Sequence, residues 1–228
     1  MTKMNQIEMG VLRVLTLEDP QEVSLHGRVI EEHFPNMSTT SRCIPDHPEG
    51  VPTVDAEAEA LPYVERLGHE MAGDVDVLTI SCALDPAVAA LDDQLDVPVV
   101  GAGASVAAAA LARGKRVGTL GLEDGAPPNV RALLDSRLQA EEVVEGAETT
   151  TFLTTDAGRD EIRSAVERLA GAGCDVVAPS CTGLTTSGVL ADLRETLEIP
   201  VVDPVLAMAA MGTTALIPIQ GSPEVRRA

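Results

Sequence analysis

The chain has 228 residues, 45% of them hydrophobic but only 1% aromatic, and a formal net charge of −20. That length allows one large domain or two small lobes, and a core of Ala, Val, Leu and Ile suits helices packed on a buried parallel sheet. The charge excludes nucleic acid as a partner, no apolar run is long enough to span a membrane, and the opening MTKMNQIEMG lacks a signal segment.

The first apolar run, VLRVLTL at 11–17, reads as a strand, and 20–34 as a helix ending near Pro35. A strand over 37–44 leads into the Pro- and Gly-rich DHPEGVPTVD at 46–55, a long loop. Apolar positions at helical spacing over 56–72 predict a helix closed by Gly73. Strand 75–81, helix 85–95 and strand 97–100 complete the first half. A glycine turn at GAGAS (101–105) opens an alanine-rich helix reaching 115, followed by strand 116–122 and a helix over 129–138 after Pro127-Pro128. A strand at 141–145 and a Thr-rich loop at 149–155 precede helix 157–172, with Asp156 as its N-cap and Gly173 closing it. A strand–helix–strand unit fills 174–203, and a last helix starts at 204.

That last unit repeats an earlier one. DVLTISC at 76–82 matches DVVAPSC at 175–181, and VPVV at 97–100 matches IPVV at 199–202. The two prolines lie slightly further apart than the two cysteines, so the second copy carries a small insertion. Strands alternating with helices throughout, together with this duplication, predict an α/β fold of two pseudo-symmetric lobes. Each lobe is a parallel sheet flanked by helices, with the active site in the cleft between them. The first lobe takes residues 1–100 plus 204–228 and the second 101–203.

Most motifs outside the repeat carry little chemistry. GAGAS lacks the third glycine of a dinucleotide-binding turn and an acidic residue about twenty positions on. It also lacks the second flanking glycine of a serine-hydrolase elbow. His26, His33, His47 and His69 have no acidic motif to orient them and read as surface residues. Lys115 follows a glycine in a turn, and nothing near it resembles a pyridoxal phosphate site, so no cofactor is expected. Cys43, Cys82, Cys174 and Cys181 contain no CxxC, which argues against a disulfide framework, a thioredoxin-type couple and a metal site. Only Lys3 and Lys115 among 16 basic residues are lysines, against 36 acidic ones, a balance suited to a soluble cytoplasmic protein in high salt.

Cys43 and Cys174 read as small buried hydrophobes. Cys82 and Cys181 differ, because each ends a strand at the edge where α/β sheets bind ligands, and each precedes a helix. Free N–H groups and the positive helix end would lower a thiol's pKa and hold substrate oxygens. Here the chain resembles the aspartate/glutamate/hydantoin racemase superfamily. SCALDPAVAAL at 81–91 with VPVVGAGASVAAAAL at 97–111 resembles its first-cysteine segment, especially in the hydantoin racemase branch. SCTGL at 180–184 with IPVVDPVLAMA at 199–209 resembles the second. The likeness is weaker over the first seventy residues, where the family's Asn- or Thr-bearing substrate loop becomes Thr16, Glu18 and Asp19.

The resemblance implies a cofactor-independent racemase in which Cys82 and Cys181 act as opposed acid and base, one as thiol and one as thiolate. Ser81, Ala83, Thr182, Gly183, Thr185 and Thr16 are the expected substrate-binding residues. Asp85 caps the helix after Cys82 or meets a substrate nitrogen. No Arg or Lys lies near the cysteines in sequence, which favours a neutral 5-substituted hydantoin over a dicarboxylate. Arg42 is the cation that would reopen the aspartate/glutamate reading. A maleate isomerase or arylmalonate decarboxylase-type enzyme, and a non-catalytic two-lobed binding protein, are the rivals. The expected partners are a small-molecule substrate and further copies of the chain, with no nucleic acid and no membrane.

Overall fold

The computed structural model describes residues 6–51, 54–122, 125–196 and 198–217. The tail beyond 217, placed in the first lobe on sequence, lies outside the described residues. In chain order the elements are β1 (Ile7–Arg13), α1 (Pro20–Val23), α2 (Leu25–His33), β2 (Met37–Cys43), α3 (Val54–Met71), β3 (Val77–Ser81), α4 (Val88–Gln94), β4 (Val99–Gly101) and α5 (Ala102–Arg113). There follow β5 (Val117–Gly121), α6 (Pro128–Leu134), β6 (Leu138–Val143), α7 (Asp156–Gly171), β7 (Val176–Pro179), α8 (Gly183–Thr186), α9 (Val189–Thr196) and α10 (Pro204–Ala215).

Two parallel sheets result, β2-β1-β3-β4 and β6-β5-β7. The second has the order of the first with its last strand reduced to one bridge, Val177 to Val201. The hydrogen bonds preserve the duplication. Leu78 donates to the Pro98 carbonyl at 3.0 Å, and Val177 donates to the Pro200 carbonyl at 2.9 Å.

The Asp that opens each repeat has a structural task. Asp76 accepts from the Glu8 N–H at 2.9 Å and returns its own N–H to the Glu8 carbonyl at 2.7 Å. Asp175 accepts from the Lys115 and Arg116 N–H groups, each at 2.9 Å, and donates to the Arg116 carbonyl at 2.8 Å. In both copies a carboxylate therefore supplies the acceptor that the start of the neighbouring strand lacks.

Each sheet is covered on both faces, as its continuous apolar strands require. Leu12, Leu78 and Ile80 pack on α3 and α4 through Val64, Leu67 and Leu91. Met9, Val11 and Val77 meet Ile30 of α2 and Val205 and Met208 of α10. Leu120 and Val177 lie under α7 and α9, and Val117 and Val176 under α5 and α6. The helix after each repeat crosses over: α5 leaves the first sheet and covers the second, while α10 leaves the second and covers the first. The small residues of α5 let these two helices also pack against each other.

Several local expectations change. The first strand begins at Ile7 and ends at Arg13, not at 17, so Thr16 lies in the loop beyond it. The helix at 20–34 breaks at Ser24 into α1 and α2. The N-cap of α7 is Thr155, whose hydroxyl accepts from Gly158 N–H at 3.1 Å, rather than Asp156. The 129–138 helix stops at Leu134, and β6 already starts at Leu138.

Candidate active site

A cavity of about 360 Å³ opens at the carboxyl ends of both sheets. Ser81, Cys82 and Ala83 follow β3 into its wall, and Ser180, Cys181, Thr182 and Gly183 follow β7 into it. The repeat thus delivers its two Ser-Cys ends to one space. The Thr182 hydroxyl donates to the Ser81 carbonyl at 3.1 Å and ties the two strand ends together. Cys82 is buried, Cys181 is half-buried, and all four cysteines are free thiols.

The thiols' surroundings differ from the sequence expectation. Cys181 does precede a helix, α8, whose first N–H groups, of Gly183 and Leu184, favour its thiolate, and the Leu184 N–H donates to the Cys181 carbonyl at 3.1 Å. After Cys82 comes an irregular loop, with Asp85 and Ala87 in the left-handed region, and α4 starts only at Val88. At Cys82 the backbone N–H that favours the thiolate is that of Leu84. Burial pushes both thiols above their ordinary value, and the N–H groups only moderate this. The expected lowering is thus reversed, because desolvation outweighs a few dipoles. Cys82 is pushed up steeply, with the neighbouring Cys181 and Asp85 adding to the effect of burial.

Asp85 caps a helix, but not the one after Cys82. Its carboxylate accepts from the Gly103 and Ala104 N–H groups at the start of α5, each at 2.7 Å, and from Asn129 Nδ2 at 3.0 Å. Burial pushes its carboxyl up to about 6, with these three donors opposing. The GAGAS glycines follow from this packing. A Cβ on Gly101 would overlap the Asp85 carboxylate, and one on Gly103 the Ala83 carbonyl. An internal carboxylate therefore fills the place that a nucleotide phosphate would need.

Thr185 and Thr16 do not line the cavity. The Thr185 hydroxyl donates to Asp203 Oδ1 at 3.0 Å, and Asp203 in turn caps α10 through the Val205 and Leu206 N–H groups. The Thr16 hydroxyl donates to the Ile44 carbonyl and accepts from His47 N–H, both at 2.8 Å, and so ties the loop after β1 to the loop after β2. Arg42 is exposed and paired with Glu70 at 2.7 Å, away from the cavity.

Several residues at the site were not anticipated. Arg13, at the end of β1, is 5% exposed and lines the cavity, so the expectation of no cation near the cysteines is wrong. Its Nη1 donates to the Glu22 carbonyl at 2.6 Å, and its Nη2 lies 3.4 Å from His26 Nε2. His26, read as a surface residue, is 1% exposed, with Nδ1 2.8 Å from Ser81 Oγ. Burial, reinforced by Arg13, pushes this imidazole well below its ordinary value and keeps it neutral. Thr150, Thr151 and Thr154 of the Thr-rich loop also line the cavity, brought close by Gly183, whose missing Cβ leaves room for Thr150.

Solved structures of the same architecture exist. An allantoin racemase from Klebsiella pneumoniae superposes with a TM-score of 0.71 at 18% identity, covering 92% of this chain and 87% of that one. An allantoin racemase from Pseudomonas fluorescens gives 0.68 at 18%, covering 97% and 99%. Glutamate racemase isoform RacE1 from Bacillus anthracis gives 0.65 at 16%, covering 93% and 82%. At these identities the likeness establishes the fold, and no curated protein matches the sequence. A family model described as Asp/Glu/Hydantoin racemase matches residues 22–212, most of the chain and both Ser-Cys repeats, and the protein belongs to that family.

Proposed function

We propose that the protein is a cofactor-independent racemase of a carbon acid, with Cys82 and Cys181 as opposed acid and base. What carries this is the presence of both thiols in the wall of one cavity, each at the end of its own sheet. Cys181, which precedes α8 where Cys82 is followed by an irregular loop, is the better-stabilised thiolate. As thiolate it takes the proton from the carbon next to a carbonyl, and the electron pair moves onto the carbonyl oxygen as an enolate. The Cys82 thiol then delivers its proton to the opposite face of that carbon. The stereocentre is inverted, and the enzyme is left with thiol and thiolate exchanged, ready for the reverse direction.

The substrate we propose is a 5-substituted hydantoin. Arg13 supplies one cation, but Glu22 and Glu49 also line the cavity, so a dicarboxylate would meet two acidic side chains for one guanidinium. The single cation favours a ligand with at most one anionic group, and an enolate meets that condition only at the transition state. Aspartate and glutamate are the second reading, favoured by Arg13 alone. Allantoin, named for two of the similar structures, is itself a 5-substituted hydantoin and belongs in the same screen.

We also propose that the protein works as a homo-oligomer in the cytoplasm, with an acidic surface suited to high salt. Ala104, Ala108, Leu111 and Ala112 form one uncharged, exposed stripe of α5, and Met211 extends it on the adjoining α10. An uncharged face on a chain of −20 suits contact with another copy. The test of activity is α-proton exchange in D2O with single enantiomers of hydantoins, aspartate and glutamate, at low and high salt. Exchange with hydantoins is the expected result. Absence of exchange with all of them would remove the racemase proposal for these compounds and favour the non-catalytic binder.

A further inference from the structure

The three residues Arg13, His26 and Ser81 form a buried chain from a fixed cation to the cavity wall. A guanidinium can only donate hydrogen bonds, so the nitrogen facing it, His26 Nε2, must present its lone pair. Protonation of that nitrogen would set two N–H groups against each other at the point where a positive charge already sits. A second ring proton would place an imidazolium beside the guanidinium in a site closed to water. The ring proton is therefore on Nδ1, where it points at Ser81 Oγ 2.8 Å away. Ser81 Oγ spends a lone pair on His26, and among the described residues His26 is its one side-chain partner. The Ser81 hydroxyl proton is left to face the cavity that Ser81 lines.

We infer that Arg13 and His26 are positioning residues that hold the Ser81 hydroxyl as a hydrogen-bond donor to the carbonyl oxygen of the substrate. The inference rests on the carbon-acid racemase proposed above, because that oxygen is the one that becomes the enolate. The Arg13 charge reaches it through three hydrogen bonds, Arg13 to His26, His26 to Ser81 and Ser81 to the substrate, each polarised by the one before. Arg13 Nε is buried without a partner, and its Nη1 and Nη2 bonds use two of the guanidinium's five N–H groups. None of the ion pairs among the described residues includes it, and the nearest compensating charge is that of Glu22, which lines the same cavity.

The second repeat lacks this device. Its serine, Ser180, donates to the Leu120 carbonyl at 3.2 Å, and the place matching Arg13 is Gly121, where a Cβ would overlap the Gly125 carbonyl. The chain therefore binds the carbonyl oxygen from the Cys82 side only. With its proton free, the Ser81 hydroxyl favours an acceptor, such as a ring carbonyl, at this point.

The test reads the ring first and turnover second. Long-range 1H–15N NMR of the full chain with labelled histidine gives the tautomer of each ring, with His26 assigned by its loss in His26→Asn. The expected result is a proton on Nδ1 and a bare Nε2, with protons spread over both nitrogens in Arg13→Met. A proton on Nε2 in the wild type overturns the inference, whatever the substrate proves to be. In hydantoin exchange, Ser81→Ala and His26→Leu should each lower kcat roughly a hundredfold with a smaller change in KM. His26→Leu should add nothing in the Ser81→Ala background, and His26→Asn, which keeps a donor at the Nδ1 position, should recover most of the rate. Independent, multiplying losses, or no rescue by His26→Asn in a folded protein, would contradict it. A wild type inactive on every hydantoin defeats the proposed substrate, while the His26 tautomer still decides the chain of bonds.

Discussion

Cys82 and Cys181 are chemically unequal despite their matching sequence contexts. Cys181 stands at the start of α8, and Cys82 is followed by an irregular loop and pushed up steeply by burial. Cys181 therefore loses its proton first and is also the more exposed of the two. Iodoacetamide at mildly alkaline pH should label Cys181 several-fold faster than Cys82, read by site-resolved mass spectrometry. Faster labelling of Cys82 would reverse the assigned roles. Because burial holds both thiols above their ordinary value of 9.0, the thiolate is a small fraction near neutrality. Raising the pH favours it, so the exchange rate should climb roughly tenfold per unit from pH 7 to 9. A flat profile over that interval would mean a thiolate already formed at pH 7. At this scale the sequence disclosed the thiols but not their energetics. Arg13 and His26 stayed hidden because their meaning depends on Ser81, more than fifty residues further along, and no local pattern connects them.

At the level of elements, each strand end that carries a cysteine is braced against the helix that follows the next strand. In the first copy the loop supplies the carboxylate, Asp85, to the start of α5. In the second copy the helix start has its own carboxylate, Asp203, and the loop supplies the Thr185 hydroxyl to it. Asp85→Ala leaves two backbone N–H groups without their acceptor and removes one of the two acceptors of Asn129 Nδ2, which should cost about 2–3 kcal/mol. Urea denaturation measures it, and a loss below about 0.5 kcal/mol would show that water replaces the carboxylate freely. The order of strands and helices was legible because Asp, apolar run and Ser-Cys recur together. The cap was misassigned because the short reach from Asp85 to α5 requires the parallel neighbour β4, a tertiary fact. The bounds of β1 moved because its outer residues pair with β2 and β3 rather than continuing the apolar run.

Over the whole molecule, 36 acidic residues against 16 basic ones leave much of the surface charge unpaired, since the six ion pairs among the described residues use few of them. Raising salt from roughly 0.1 to 1 M shortens the screening length from about 10 Å to about 3 Å and relieves that repulsion. The melting temperature should therefore rise by several degrees over this range, and a salt-independent value would contradict the proposed salt-adapted surface. Docking through the α5 stripe predicts a dimer or larger species by sedimentation, and Leu111→Glu should shift it toward monomer. The two sheets and their crossed helices bring one thiol from each sheet into the wall of a single cavity. The most direct test follows racemisation and α-deuterium uptake from one hydantoin enantiomer by the wild type, Cys82→Ser and Cys181→Ser. Each replacement should lower racemisation roughly a hundred- to ten-thousand-fold, with one variant still exchanging the proton on its own face. Full racemisation by either variant would contradict the two-thiol mechanism.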